Sequence, residues 1–266
     1  MTGDLAEQCI KRRADLLVAK KLPGGFDLLN VAVPIDFDPE GTKSIVATVS
    51  GGPHSGLAAG VAARLGIALA VPTRMISAYR DEEDRADATA LMERLTGVVP
   101  AIGADLVRAD DLRSLVAELD EGTLLVLGAP GGSWLQRVLL GPGARLRSKA
   151  PAGAVVVRHA PDRVYQWMGE PVFVAPLRQA DDTLRIHPQS TLAVADQGVL
   201  VGLVRRAALE RAGAAVVGTI MEEAKSTKVD HTLDAARPLV EVFGEDPIAV
   251  TDAQDNLVGG LSLPAA

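Results

Sequence analysis

Residues 123–132, Thr-Leu-Leu-Val-Leu-Gly-Ala-Pro-Gly-Gly, combine a continuous apolar run with a glycine-rich turn. An apolar run without alternation is typical of a parallel strand that is buried on both faces of a sheet. Similar runs occur before and after it, separated by helical stretches, at Ser44 to Val49, Val71 to Tyr79, Ala104 to Arg108 and Ala154 to Val157. This alternation predicts an α/β domain with a doubly wound, parallel, five-stranded sheet over residues 44–162.

The segments on either side follow other patterns. Residues 1–43 contain a helical stretch and a strand-like run, and we interpret them as an N-terminal extension. After Pro161 the strands become short, and Leu192 to Leu203 parallels Ile248 to Gly260. Each of these has a strand, a turn that contains aspartate, and a strand with Leu-Val-Gly. A repeat of roughly 55 residues predicts two copies of one α+β unit that bury their apolar faces together, at 168–212 and 216–266.

The composition limits the setting and the partners. The 266 residues carry a formal net charge of −7, so the chain lacks the basic surplus that binding to a nucleic-acid polymer exploits. The single cysteine, Cys9, allows no disulfide within the chain, which favours a reducing compartment. Met1 to Gln8 has no signal pattern, and no apolar run is long enough to span a bilayer. We therefore expect a cytoplasmic protein without membrane insertion.

Two glycine-rich segments are candidates for a ligand site. Ligands of open α/β sheets bind at the carboxyl ends of the strands, where the strand order reverses. Ser50-Gly51-Gly52 follows the first predicted strand, and Gly128-x-x-Gly131 follows the fourth, with Gly141-Pro142-Gly143 further along. Glycine lets a phosphate approach the backbone closely. Helix caps and tight turns also use glycine, so both interpretations stay open here.

Residues 44–160 resemble a universal stress protein domain, which has a Rossmann-like sheet. Its nucleotide-binding members carry Gly-x-x-Gly, nine residues and then Gly-Ser/Thr, and Gly128, Gly131 and Gly141 match this pattern. Pro142 and Ala144 replace hydroxyl residues, and Ser50 replaces an acidic one. The resemblance implies ATP or AMP as a ligand. Its phosphates would lie at Gly128 and Gly131 under Gly141 to Gly143, and its sugar near Ser50, with Gly51 in the same cleft.

The first glycine loop also gives an enzyme alternative. Val49 to Ser55 is similar to the Ser-Gly-Gly-x-Asp-Ser loop of ATP-pyrophosphatase enzymes, with His54 in place of the aspartate. Residue 50 is not acidic, and no paired carboxylates accompany the glycine loops, so neither a metal nor a general base for hydrolysis is evident. The four histidines lack the spacing of a zinc site. We expect no catalytic residues, no metal and no enzymatic turnover.

Residues 168–266 resemble a pair of CBS domains, which are regulatory modules that often bind adenosine nucleotides. The match is better in the second copy, through Gly218 to Glu222, Thr232 to Ala236, Ile248 to Asp252 and Asn256 to Ser262. Nucleotide-binding copies carry Thr/Ser, two residues and an aspartate that holds the ribose. Those positions are Arg205 and Ala208 in one copy, and Ser262 and Ala265 in the other. With both aspartates replaced, the resemblance implies assembly more than nucleotide affinity.

These observations together favour a non-catalytic regulatory or stress protein that responds to adenine nucleotides. The nucleotide would bind in the cleft of the N-terminal domain, and the C-terminal half would serve assembly or sensing. Both resemblances imply a homodimer, in universal stress proteins commonly through the last strand, here Ala154 to Val157. The alternatives are a structural or interaction protein without a ligand, and an ATP-using enzyme with the Ser50-Gly51-Gly52 loop.

Overall fold

The chain folds into two compact units. In the computed structural model, residues 2–21, 27–99, 102–108, 119–129, 150 and 152–263 are described. The sheet unit contains Leu16–Ala160, and the repeat unit contains Met1–Asp15 together with Pro161–Ala266. The sheet unit is therefore inserted into the sequence of the repeat unit. The predicted extension, residues 1–43, is divided between them: its helix, α1 (Thr2–Lys11), belongs to the repeat unit.

The sheet unit has a seven-stranded, mostly parallel sheet in the order β1-β2-β7-β6-β3-β4-β5. The strands are β1 Leu16–Val18, β2 Asn30–Ile35, β3 Ser44–Thr48, β4 Thr73–Tyr79, β5 Gly103–Arg108, β6 Thr123–Gly128 and β7 Ala154–Arg158. Strands β3 to β7 correspond to the five predicted strands, and their pairings with one another are all parallel. The strand order reverses at β3, because β4 and β5 lie on one side of it and β6 and β7 on the other.

Strands β1 and β2 enlarge the predicted five-stranded sheet to seven strands. Strand β2 pairs with β7 in the antiparallel sense, from Val31 opposite Arg158 to Ile35 opposite Ala154. Strand β6 pairs with the other edge of β7. Because a strand has only two edges, no free edge of β7 remains for a second chain. The predicted dimer contact between two copies of Ala154 to Val157 is therefore wrong, and the reason is that residues of the same chain cover that edge.

Two long helices pack on the core of this sheet. Helix α2 (Pro53–Leu69) presents Ala58, Ala59 and Ala62 to the sheet, all fully buried. Small side chains let a helix approach a sheet closely. Helix α3 (Glu82–Val98) is capped by Asp81, whose carboxylate accepts hydrogen bonds from the backbone N–H groups of Glu83 and Asp84. The first turn of this helix is acidic, which is favourable at the positive end of the helix dipole.

The repeat unit contains two three-stranded sheets of the same topology. One has β8 (Phe173–Val174), β9 (Thr191–Asp196) and β10 (Val199–Arg205), and the other has β11 (Thr227–Lys228), β12 (Ile248–Thr251) and β13 (Leu257–Leu261). In each, the first strand is parallel and the third antiparallel to the middle one. The helices are α4 (Val164–Trp167), α5 (Ala180–Ile186), α6 (Arg206–Ala212), α7 (Leu233–Ala236) and α8 (Val240–Phe243). The predicted repeat thus corresponds to two copies of one supersecondary unit.

The two copies are interlocked through their leading segments. The backbone N–H of Val164 donates to His231 O, and the N–H of Val217, 53 positions after Val164, donates to Arg178 O. His231 also follows Arg178 by 53 positions. The segment that leads into each copy therefore pairs with the other copy, so neither is complete alone.

Helix α1 packs on the repeat unit around one tyrosine. The Tyr165 side chain is fully buried, and its hydroxyl donates a hydrogen bond of 3.0 Å to Ala14 O, just after α1. Cys9 of α1 is buried as well. Burial raises the pKa of the Cys9 thiol, and burial with the nearby Cys9 raises the pKa of Tyr165 to about 12. In the described part of the chain, no helix is both long and apolar enough to cross a membrane.

Candidate nucleotide site at the carboxyl end of the sheet

The loop after β3 lies where the strand order reverses. Its exposed residues Ser50, Gly51 and Gly52 lead directly into α2. Gly51 has φ +91°, in the left-handed region that favours glycine. The hydroxyl of Ser55 accepts a 3.0 Å hydrogen bond from Ser50 N–H and so closes the loop. No side chain caps α2, and Pro53 lacks an N–H, so the helix begins with its positive end towards solvent. This combination favours an anion.

Gly128 ends β6 beside the same loop. A Cβ built on Gly128 would lie 2.6 Å from His54 Cβ, which is closer than carbon atoms approach. Glycine at this position therefore lets β6 and the first turn of α2 pack against each other. The close packing accounts for Gly128 by itself, and it brings the second predicted loop next to the first at the reversal point.

Two histidines and an asparagine bond to one another at this edge. The Nδ1 atom of His54 accepts a 2.9 Å hydrogen bond from the backbone N–H of His159. Asn30 Oδ1, at the start of β2, accepts from Ala160 N–H at 2.9 Å and lies 3.1 Å from His159 Nδ1. Burial lowers the pKa of His54, and the nearby His159 and Arg158 lower it further. These surroundings therefore favour the neutral form of the His54 imidazole.

Only part of the predicted site lies in the described residues. Ser50, Gly51 and Gly128 are brought together at one edge of the sheet, with Gly52 between the loop and α2. Gly131, Gly141, Pro142 and Gly143 lie outside the described residues. Within the described part of the chain, no group of three or more His, Cys, Asp or Glu side chains is arranged to hold a metal ion.

Sequence reasoning missed the contact between His54 and His159. The two residues are 105 positions apart, and neither has a spacing motif. A positional signal was nevertheless present. His54 follows the turn after β3, and His159 follows β7 directly. The carboxyl ends of parallel strands meet at one edge, so both residues belong there.

In the repeat unit, most positions that would contact the ribose in a nucleotide-binding CBS copy carry other residue types. Arg205, at the end of β10, forms an ion pair with Glu222, with Nε 3.2 Å from each carboxylate oxygen. Ala208 lies in α6 and offers no polar side chain. Ser262 is exposed after β13, and Ala265 lies outside the described residues. The guanidinium of one copy is thus already bound by a carboxylate of the other.

No family model matches the chain, and no curated protein matches it. Solved structures of CBS domain pairs align with part of it. CBSX2 from Arabidopsis thaliana is 25% identical over 39% of this chain and 89% of its own, with a TM-score of 0.35. CBSX2 in complex with AMP is 27% identical over 38% of this chain and 90% of its own, with a TM-score of 0.33.

The cytosolic domain of the Mg²⁺ channel MgtE in complex with ATP is 21% identical over 38% of this chain, with a TM-score of 0.34. The match covers 46% of that chain, so this protein spans about half of its length. At these TM-scores the likeness identifies neither a ligand nor a partner. The comparisons give no evidence for a universal stress protein domain.

Proposed function

We propose that this chain is a non-catalytic regulatory protein of the cytoplasm that binds an adenine nucleotide, ATP or AMP, at the carboxyl end of its parallel sheet. The observation that carries the proposal is the meeting of the Ser50-Gly51-Gly52 loop, the uncapped start of α2 and Gly128 at the reversal of strand order. Backbone N–H groups and a helix dipole at such a point are suited to a phosphate chain.

The proposal specifies binding without turnover. Hydrolysis of a phosphoanhydride needs a metal or a base that activates water. Residue 50 is a serine, and the first turn of α2 contains no acidic residue. We expect release of phosphate and pyrophosphate from ATP to remain at background. Release that scales with the amount of protein and disappears in a His54→Ala variant would favour the ATP-using enzyme instead.

Titration calorimetry of the full chain with ATP, ADP, AMP and cyclic AMP tests the binding, and Gly52→Val tests its place. Gly52 has φ −78° and ψ 170°, which valine adopts readily, and no heavy atom lies within 4 Å of a new Cβ. The fold therefore tolerates the change, while a branched side chain blocks approach to the backbone. We expect binding to be lost.

Gly97→Val is the matched control, because Gly97 is exposed on α3 and a Cβ there also meets nothing within 4 Å. Its affinity should equal that of the wild type. Unchanged affinity in Gly52→Val would place the nucleotide elsewhere. If the wild-type chain binds none of the four nucleotides, the alternative function, an interaction protein without a ligand, would be favoured.

For the repeat unit we propose a CBS-type pair that serves assembly into a homodimer. Support comes from the two interlocked copies and from Arg205, whose guanidinium is bound to Glu222 where a nucleotide-binding copy would use a hydroxyl residue. Sedimentation of the full chain over a range of concentrations tests the dimer. A monomer at every concentration would contradict it, without bearing on the nucleotide site.

A further inference from the structure

The hydrogen bonds of His54 and His159 assign a tautomer to each ring. His54 Nδ1 accepts from a backbone N–H, so this nitrogen carries the lone pair and the proton of the neutral ring is on Nε2. Asn30 Oδ1 already accepts from Ala160 N–H and is an oxygen acceptor, so His159 Nδ1 carries a proton. The neutral ring of His54 therefore presents an N–H donor at Nε2.

The His54 donor has no partner among the described residues. His54 is half-buried and directly follows the exposed residues 50–53. Among the described residues, the guanidinium of Arg158 at the end of β7 lies close enough to His54 for its charge to lower the pKa of the imidazole. Neither the first turn of α2 nor Asn30 adds a carboxylate. An N–H donor close to a guanidinium favours an anionic acceptor.

We propose that His54 donates from Nε2 to a phosphate oxygen of the bound nucleotide while remaining neutral, with Nδ1 still bonded to the backbone of His159. This inference rests on the proposed nucleotide site and adds the side chain that contacts the phosphate. Protonation of His54 at Nδ1 would break the bond from His159 N–H, so the site uses the neutral ring as its donor. His54 lies one residue after the start of α2, where the backbone already favours the same anion.

The experiment follows the imidazole nitrogens by NMR in the full chain labelled with ¹⁵N-histidine, at pH 7, during titration with ADP. The expected result is the Nε2–H tautomer for His54 before and after binding, with a shift of its Nε2 resonance on addition of ADP. Calorimetry of variants runs beside it. His54→Phe should weaken ADP binding by about tenfold or more, as expected for a lost hydrogen bond to a charged group. His54→Gln, which keeps an N–H donor, should recover part of this loss.

His187→Phe is the control, because it removes an imidazole from the repeat unit and should leave ADP affinity unchanged. The wild-type NMR result does not depend on whether the His54→Phe chain folds. If ADP binds but His54 Nε2 does not shift, or if His54 becomes doubly protonated on binding, the inference is wrong while the proposed function stands. If ATP, ADP and AMP all fail to bind but inorganic pyrophosphate shifts His54 Nε2, the phosphate contact stands and the nucleotide function fails. If neither the nucleotides nor pyrophosphate bind, both are wrong.

Discussion

Replacing Gly128 with alanine puts a methyl group where β6 and α2 are in contact. The new Cβ would lie 2.6 Å from His54 Cβ, whereas carbon atoms in ordinary contact are about 3.5–4.0 Å apart. The two elements must separate by about 1 Å to relieve the overlap. Overpacking of this kind costs about 1–3 kcal/mol. In a unit of this size, each kcal/mol lowers Tm by about 2–4 °C, so we expect a clear loss of thermal stability.

Gly60→Ala also replaces a glycine with alanine, but in the interior of α2. We expect this variant to raise the thermal stability rather than lower it. A Cβ on Gly60 meets no heavy atom within 4 Å. Alanine is more favourable than glycine inside a helix by about 0.8–1.0 kcal/mol. This variant should therefore melt a few degrees above the wild type, at about 2–4 °C per kcal/mol.

The assay is thermal unfolding followed by circular dichroism, with hydrogen exchange of the peptides that contain β6 and β7. Exchange at these strands reports on the sheet unit separately from the repeat unit. We expect faster exchange in Gly128→Ala and unchanged or slower exchange in Gly60→Ala. A Gly128→Ala chain that is as stable as the wild type would refute the close packing of β6 on α2, and so would a loss of stability shared equally by both variants.

Three further predictions concern Tyr165. Tyr165→Phe removes the hydrogen bond to Ala14 O and should destabilise the repeat unit by about 0.5–1.5 kcal/mol in urea unfolding, whereas Tyr79→Phe, at the chain's other tyrosine, should have little effect. Because the folded pKa of Tyr165 is raised to about 12 from an unfolded value near 10, its contribution to stability is complete below about pH 10 and is lost as the pH rises towards 12. Tyr165→Phe should flatten this alkaline decline in a stability–pH series. A chain with residues 1–15 joined to 161–266 by a Gly/Ser linker should fold and keep the high tyrosine pKa in an ultraviolet titration. Residues 161–266 alone should show a pKa near 10, and equal values in the two chains would contradict the docking of α1.

The parallel strands were predictable because strands that are buried on both faces have a recognisable, continuously apolar sequence. Leu124, Leu125 and Val126 are fully buried, and a strand covered on both faces needs an apolar residue at every position. The antiparallel β2 was harder to assign. The sequence indicates a strand near Leu28 to Val33, but nothing local specifies that it pairs with β7, more than a hundred residues later. A pairing at that separation depends on tertiary packing.

The sequence also marks the start of each repeat by a recurring motif, which an assignment based on strand patterns alone does not use. Val164-x-x-x-Met168 recurs as Val217-x-x-x-Met221, and a Cβ on Gly259 or Gly202 would meet Met168 or Met221 respectively at under 3 Å. The predicted second copy, 216–266, includes this leading segment, whereas the predicted first copy, 168–212, begins only at its methionine. The candidate site was predictable as a position, since carboxyl ends of parallel strands converge. The hydrogen bonds of His54 were not, because they depend on side-chain orientation.

The order of segments along the chain has a consequence during synthesis. Helix α1 leaves the ribosome early, but the tyrosine hydroxyl that binds Ala14 O belongs to a residue 151 positions later. At about 5–20 residues per second, α1 is exposed for about 8–30 s before this partner is made. The whole sheet unit is translated during that interval, and domains generally fold as units while the chain grows. The repeat unit contains α1, which precedes the sheet unit in the sequence, yet it is completed after the sheet unit.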